Sequence, residues 1–149
     1  MTEPMKNINN ISNNNSSRPQ ILIVDDNPDI LNALELLLSL HGYRVKTADN
    51  QKQALFIVSH QKIDLVIQDM NFAQGATSGE EGKSLFTELK ALNNNLPIIV
   101  ITAWAQLETA VELVKLGATD YLQKPWDDLK LLALVEKHSE VSMPLPKAD

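Results

Sequence analysis

Short apolar runs recur along the chain and are separated by stretches with helical spacing of apolar residues. Continuous runs predict strands β1, β3 and β4 at residues 20–24, 63–68 and 97–102, because strands buried on both faces lack apolar–polar alternation. Shorter runs predict β2 at residues 43–47 and β5 at residues 119–122.

A helix is predicted after each strand. The first, α1, begins at Asn27-Pro28, where Asn27 can cap the helix and Pro28 suits its first turn, and it ends at Gly42. The others are predicted at residues 51–60 (α2), 84–92 (α3), 107 to the cap at Gly117 (α4), and 127 to about 140 (α5). Alternating strands and helices predict an α/β fold with a parallel sheet covered by helices on both faces.

One domain at residues 19–141 accounts for all of these elements. The Asn/Ser-rich residues 1–18 have too little apolar surface to offset the entropy of ordering, so we predict a disordered tail. Residues 142–149 contain two prolines and no periodicity, and they are predicted to be a C-terminal tail or the start of a linker.

Composition excludes several classes of function. The 149 residues include no cysteine, which excludes disulfides, thiolate zinc sites and cysteine nucleophiles. The net charge is -6 without a basic stripe, so direct nucleic-acid binding is not expected. The apolar runs are shorter than the roughly 20 residues that span a bilayer, and no secretion signal is apparent. We therefore expect a cytoplasmic protein with no membrane partner.

Charged and hydroxyl side chains that could form a functional site lie at the carboxyl ends of four predicted strands. Asp25 and Asp26 follow β1, Asp69 follows β3, Thr102 ends β4 and Lys124 follows β5. The carboxyl ends of parallel strands meet at one edge of a sheet, so these side chains should converge. Each one alone is more commonly a cap, a turn former or a solvated charge. Together, three acids and one lysine leave a local charge of about -2, which predicts a bound Mg²⁺, or Mn²⁺, with oxygen ligands.

The segments ILIVDDNPDI, DLVIQDMN, PIIVITAW and GATDYLQKPWD resemble the receiver domain of two-component response regulators over residues 19–140. This resemblance implies a flavodoxin-like, doubly wound sheet with strand order 2-1-3-4-5. It also implies that Asp69 is the phosphoacceptor. Asp26 would bind the metal directly and Asp25 through water, with Asp69 and the backbone carbonyl of Asn71 as further ligands.

Other site residues follow from the same resemblance. Thr102 and Lys124 would contact the phosphoryl oxygens, and the peptide bond from Lys124 to Pro125 would be cis. Tyr121 would change rotamer together with Thr102 and alter the α4-β5-α5 face. Asn71 and Trp104 would flank the path of an attacking water and set the lifetime of the phosphorylated state.

The implied function is a phosphorylation-activated signalling switch, a regulatory domain that assists its own phosphorylation and dephosphorylation rather than an enzyme. Its partners would be a sensor histidine kinase or phosphotransfer protein, and an output domain or partner protein at the α4-β5-α5 face. A homodimer is compatible with this function. The long loop MNFAQGATSGEEG after the acceptor resembles receivers of enhancer-binding AAA+ transcription regulators.

Three alternative functions agree less well with the sequence. An aspartyl-phosphate phosphatase needs a second Asp two residues after a nucleophile on β1, and Asn27 stands at that position. Residues 77–84 nearly match a phosphate-binding P-loop, but the first Gly is missing and Glu80 and Glu81 oppose an anion. A degenerate receiver that only docks partners is disfavoured by the complete acidic set.

Overall fold

A computed structural model describes residues 18–70, 80–103 and 107–139, and the side chains of Glu80 and Glu81 lie outside that description. Strands and helices alternate through these segments as predicted. The strands are β1 (Gln20–Val24), β2 (Arg44–Ala48), β3 (Leu65–Asp69), β4 (Ile98–Thr102) and β5 (Asp120–Gln123). The helices are α1 (Pro28–Leu40), α2 (Gln51–His60), α3 (Glu80–Leu92), α4 (Leu107–Lys115) and α5 (Asp128–Ser139).

All strand pairs are parallel, and the strand order is β2-β1-β3-β4-β5. This confirms the predicted doubly wound sheet. In the register, Val24 lies beside Gln68, Asp69 beside Ile101, and Thr102 beside Gln123. The carboxyl ends of the four strands β1, β3, β4 and β5 therefore meet at one edge, as the sequence predicts.

Helices cover both faces of the sheet, which explains why β1, β3 and β4 are buried along their whole length. On one face, apolar residues of α2, α3 and α4 pack on the sheet, and on the other face those of α1 and α5 do so. The first layer includes Ala54, Ile57, Leu85, Phe86, Leu89, Ala110 and Leu113, and the second includes Leu34, Leu38, Leu131 and Val135.

The predicted boundaries of α1 are confirmed by its capping. The side chain of Asn27 accepts the Asp29 N–H at 2.9 Å, and Pro28 occupies the first turn. After the helix, Gly42 has a φ of 92°, a left-handed conformation that glycine adopts without a Cβ penalty. The guanidinium of Arg18 donates to the Gly42 carbonyl at 3.2 Å. Apart from Arg18, the predicted tail lies outside the described residues, as does segment 142–149.

Strands β2, β4 and β5 each start one residue later than predicted, and two other predicted boundaries are wrong by two residues or more for local reasons. Helix α3 begins at Glu80 rather than at residue 84, because its polar first turn adds nothing to the apolar periodicity that starts at Leu85. Strand β3 covers Leu65–Asp69 instead of 63–68, because the carboxylate of Asp64 accepts the Gln20 N–H at 2.8 Å in place of a backbone group.

Among the residues that the structure describes, no helix combines the length and the apolar character that crossing a membrane requires.

Candidate functional site

Three carboxylates meet at the predicted edge of the sheet. Asp25 directly follows β1, Asp69 is the last residue of the neighbouring β3, and Asp26 stands next to Asp25. One carboxylate oxygen from each residue lies within 4.8 Å of those of the other two. The convergence predicted from the sequence is therefore present, on strands that are adjacent in the sheet although distant along the chain.

Lys124, which directly follows β5, contacts two of these acids. Its backbone N–H donates to the Thr102 carbonyl at 2.8 Å, which fixes the chain just after β5. Its Nζ lies 3.0 Å from Oδ1 of Asp69 and 3.9 Å from Oδ2 of Asp25. The peptide bond between Lys124 and Pro125 is cis, in agreement with the expectation from the resemblance.

Burial and mutual repulsion oppose the ionisation of the acids. Asp25 is only 2% exposed and Asp69 4%. Burial, followed by the charge of Asp69, raises the pKa of Asp25 from 3.8 to about 6, although the Asn27 N–H and Lys124 partly oppose this change. Burial and Asp69 also raise the pKa of Asp26. The pKa values rise although Lys124 is close, because one ammonium group does not balance three carboxylates.

These residues fit a hard divalent cation. Mg²⁺ prefers oxygen ligands and commonly binds through one or two carboxylates. The donor set consists of carboxylate oxygens held close together, and the raised pKa of Asp25 shows that further positive charge would stabilise its ionised form. Asp25, Asp26 and Asp69 are the described residues that could hold such an ion.

Thr102 is the last residue of β4, and Tyr121 lies on the neighbouring β5, beside Val100 in the register. Thr102 is fully buried, and its hydroxyl donates to the Ala103 carbonyl at 3.0 Å. Tyr121 is half-buried and packs against the apolar layer beneath α2, α3 and α4. The predicted residues Asn71 and Trp104 lie outside the described residues.

The P-loop alternative finds no support at Gly82, which falls inside α3. The Gly82 N–H donates to the Met70 carbonyl at 3.1 Å, so this amide is already engaged. The neighbouring Lys83 forms an ion pair with Glu112 of α4, with 3.7 Å between Nζ and Oε1. A P-loop needs free backbone N–H groups and a lysine directed at phosphates, and neither residue meets that requirement here.

Sequence reasoning missed Gln68, which is fully buried one residue before the acceptor candidate. Its Nε2 donates to the Gly82 carbonyl at 2.9 Å. The signal that could have revealed it is a glutamine at the end of the otherwise apolar run LVIQ.

Comparisons with known proteins agree with this geometry. The family model described as "Response regulator receiver domain" matches residues 21–136. The transcriptional regulatory protein ZraR of Escherichia coli K12 is 42% identical over 117 residues, which are 78% of this chain and 25% of ZraR. The chain therefore spans about a quarter of the length of that relative.

Solved structures give the same result. The N-terminal signal receiver domain of a response regulator from Bacteroides fragilis has a TM-score of 0.74 and 34% identity, covering 83% of this chain and 98% of that one. The receiver domain of NtrX from Brucella abortus has a TM-score of 0.74 and 32% identity, covering 82% and 99%. This chain belongs to the family of response regulator receiver domains.

Proposed function

We propose that this receiver domain is a phosphorylation-activated switch in which Asp69 accepts a phosphoryl group. The observation that carries the proposal is the placement of the Asp69 carboxylate, 3.0 Å from the Lys124 ammonium and within 4.8 Å of two further acids. The donor would be a sensor histidine kinase or a phosphotransfer protein. An output domain or partner protein would read the change at the α4-β5-α5 face.

The transfer needs little covalent chemistry from the protein. An Asp69 oxygen forms a bond to phosphorus while the phosphorus–nitrogen bond of the donor phosphohistidine breaks, and the imidazole nitrogen keeps the electron pair. Lys124 is close enough to Asp69 to stabilise negative charge on the transferred group. Mg²⁺, or alternatively Mn²⁺, would neutralise phosphoryl oxygens when bound by Asp25, Asp26, Asp69 and the backbone carbonyl of Asn71.

Dephosphorylation reverses the activation. Water attacks phosphorus, the bond to the Asp69 oxygen breaks, and the carboxylate and inorganic phosphate are released. We propose that Asn71 and Trp104 adjust the rate of this step. The domain would then assist its own phosphorylation and dephosphorylation without acting on a separate substrate, which is the behaviour of a regulatory domain rather than of an enzyme.

Thr102 and Tyr121 are proposed to transmit the signal. The Thr102 hydroxyl donates to the Ala103 carbonyl, a bond it could exchange for one to a phosphoryl oxygen. Tyr121 is only half-buried, so its ring has room to move at the surface of β5. The ligand would shift the population between two arrangements of the α4-β5-α5 face.

Labelling by a small phosphodonor tests the proposed function. Acetyl phosphate with Mg²⁺ should add one phosphoryl group, seen by intact mass, and EDTA should prevent the reaction. ATP with Mg²⁺ should add nothing and should not bind. A P-loop-like nucleotide site would instead give ATP binding, and the absence of Mg²⁺-dependent labelling would contradict the proposal.

Thr102→Ala should separate labelling from signalling. We expect the variant to bind beryllofluoride, an analogue of the phosphoryl group, with weaker chemical-shift changes at α4 and β5 than the wild type shows by NMR. Thr119→Ala is the matched control, because the Thr119 hydroxyl accepts the Ile98 N–H at the opposite end of β4. Wild-type shift changes in Thr102→Ala would contradict the proposed role of Thr102.

Several predictions go beyond the family assignment. We propose that the output is transcription regulation, because the relative ZraR is described as a transcriptional regulatory protein. The segment MNFAQGATSGEEG after Asp69 supports an enhancer-binding AAA+ regulator as the parent protein. The domain limits of 19 and 141, a cytoplasmic location and homodimer formation also stay predictions.

The phosphatase alternative loses support because the Asn27 side chain is engaged as the cap of α1.

A further inference from the structure

Gln68 is a buried polar residue in a strand whose other members before the acceptor are apolar. It has no exposed surface and lies between Val24 of β1 and Val100 of β4 in the sheet register. Both valines belong to the apolar layer beneath α2, α3 and α4, so the carboxamide lies in that layer. Its Nε2 donates to the Gly82 carbonyl, whereas its Oε1 has no hydrogen-bond partner among the described residues.

Gly82 makes a second contact with the residue that follows the same strand. Its N–H donates to the Met70 carbonyl at 3.1 Å. A Cβ at Gly82 would lie 2.5 Å from the Met70 carbonyl oxygen and 2.6 Å from the Met70 Cα, so only glycine allows this close approach. One residue of α3 therefore bonds to the residues on both sides of Asp69.

Fold stability alone does not account for the glutamine. A buried acceptor without a partner costs stability, and a Leu or Met side chain would fill the same layer without that cost. What the carboxamide adds is a bond between the residue before Asp69 and helix α3, the next helix along the chain. That bond restrains the backbone that carries the Asp69 carboxylate.

We propose that Gln68 is a positioning residue, which fixes Asp69 relative to Asp25, Asp26 and Lys124 by joining β3 to Gly82. This inference rests on the proposed function, because it assumes that Asp69 binds metal and accepts phosphoryl groups. Residues that orient a metal ligand typically change metal affinity or activity by 10- to 100-fold when they are altered.

Gln68→Met tests the role, because methionine keeps the length of the side chain and removes the donor. We expect the Mg²⁺ dissociation constant, measured by calorimetry, to rise about tenfold and labelling by acetyl phosphate to slow by a similar factor. Thermal unfolding in EDTA should be unchanged or shifted to higher temperature. A Gly82→Ala variant should weaken Mg²⁺ binding in the same direction, because its Cβ collides with the Met70 backbone.

Gln20→Met is the matched control. Gln20 is a second buried glutamine, at the opposite end of the sheet, and its Nε2 donates to Oε1 of Gln61 at 3.1 Å. The Mg²⁺ affinity of the Gln20→Met variant should equal that of the wild type. Equal Mg²⁺ affinity and labelling in Gln68→Met and wild type would overturn the inference alone. A wild type that neither binds Mg²⁺ nor becomes labelled would overturn the proposed function together with the inference.

Discussion

Asp69→Asn is expected to abolish phosphoryl labelling by acetyl phosphate in the presence of Mg²⁺. The amide oxygen of Asn is a much weaker nucleophile than a carboxylate, and no acyl phosphate can form on it. The fold should survive, because Asn has nearly the same shape and removes one of the mutually repelling charges around Asp25. Intact mass after incubation with the donor measures the result.

The control for this substitution is Asp29→Asn. Asp29 is an exposed acid in the first turn of α1, close in sequence to the acidic pair but outside the carboxylate cluster. The Asp29→Asn variant should be labelled to the same extent as the wild type. Undiminished labelling of Asp69→Asn would refute the assignment of the acceptor, whereas loss of labelling in both variants would point to a general defect of the fold.

The stability of the metal-free protein should depend on pH through Asp25. Its pKa is raised from 3.8 to about 6 in the folded state, so the folded state binds this proton more tightly than the unfolded state. The contribution is fully present below about pH 4 and is lost as the pH rises through 6. A difference of this size corresponds to about 3 kcal/mol, from 1.36 kcal/mol per unit of pKa.

Asp25→Asn isolates this contribution from other titrating groups. Urea unfolding in EDTA should show that the variant gains stability relative to the wild type between pH 4 and 7, by up to about 3 kcal/mol. The Asn27 N–H, which donates to Oδ1 of Asp25 at 2.9 Å, can still be satisfied by the Asn oxygen. A difference between the two proteins that is independent of pH would contradict the raised pKa.

Bound Mg²⁺ should favour the ionised form of Asp25, whereas the metal-free folded protein favours the protonated form. Metal binding requires ionised carboxylates and therefore displaces the proton of Asp25. The affinity of the wild type for Mg²⁺ should rise with pH, and displacement of the Asp25 proton alone contributes about tenfold per pH unit below 6. Asp25→Asn should bind Mg²⁺ weakly at every pH. The acid whose ionisation destabilises the metal-free protein is thus also one of the three that would hold the cation.

The sequence alone was sufficient for the sheet and for the convergence of the acids. The apolar runs of β1, β3 and β4 predict buried parallel strands, and the rule that parallel strands end at one edge brings Asp25, Asp69 and Lys124 together. Local signals such as the Asn27 cap also predict the start of α1 correctly. These features follow from short local patterns combined with a general rule about parallel sheets.

The features that could not be predicted depend on contacts between distant residues. The bond from Gln68 to Gly82 joins residues 14 apart in the chain, and no local pattern specifies it. The start of α3 was missed because its first turn is polar. The raised pKa of Asp25 depends on its burial and its distance from Asp69, and residue types alone specify neither.

Borohydride reduction after labelling tests the central claim most directly. It converts an aspartyl phosphate to homoserine, and peptide mass spectrometry then identifies the position. Protein treated with acetyl phosphate and Mg²⁺ should contain homoserine at position 69 and nowhere else, and protein treated in EDTA should contain none. Homoserine at position 25 or 26, or none at position 69 in fully labelled protein, would contradict Asp69 as the acceptor.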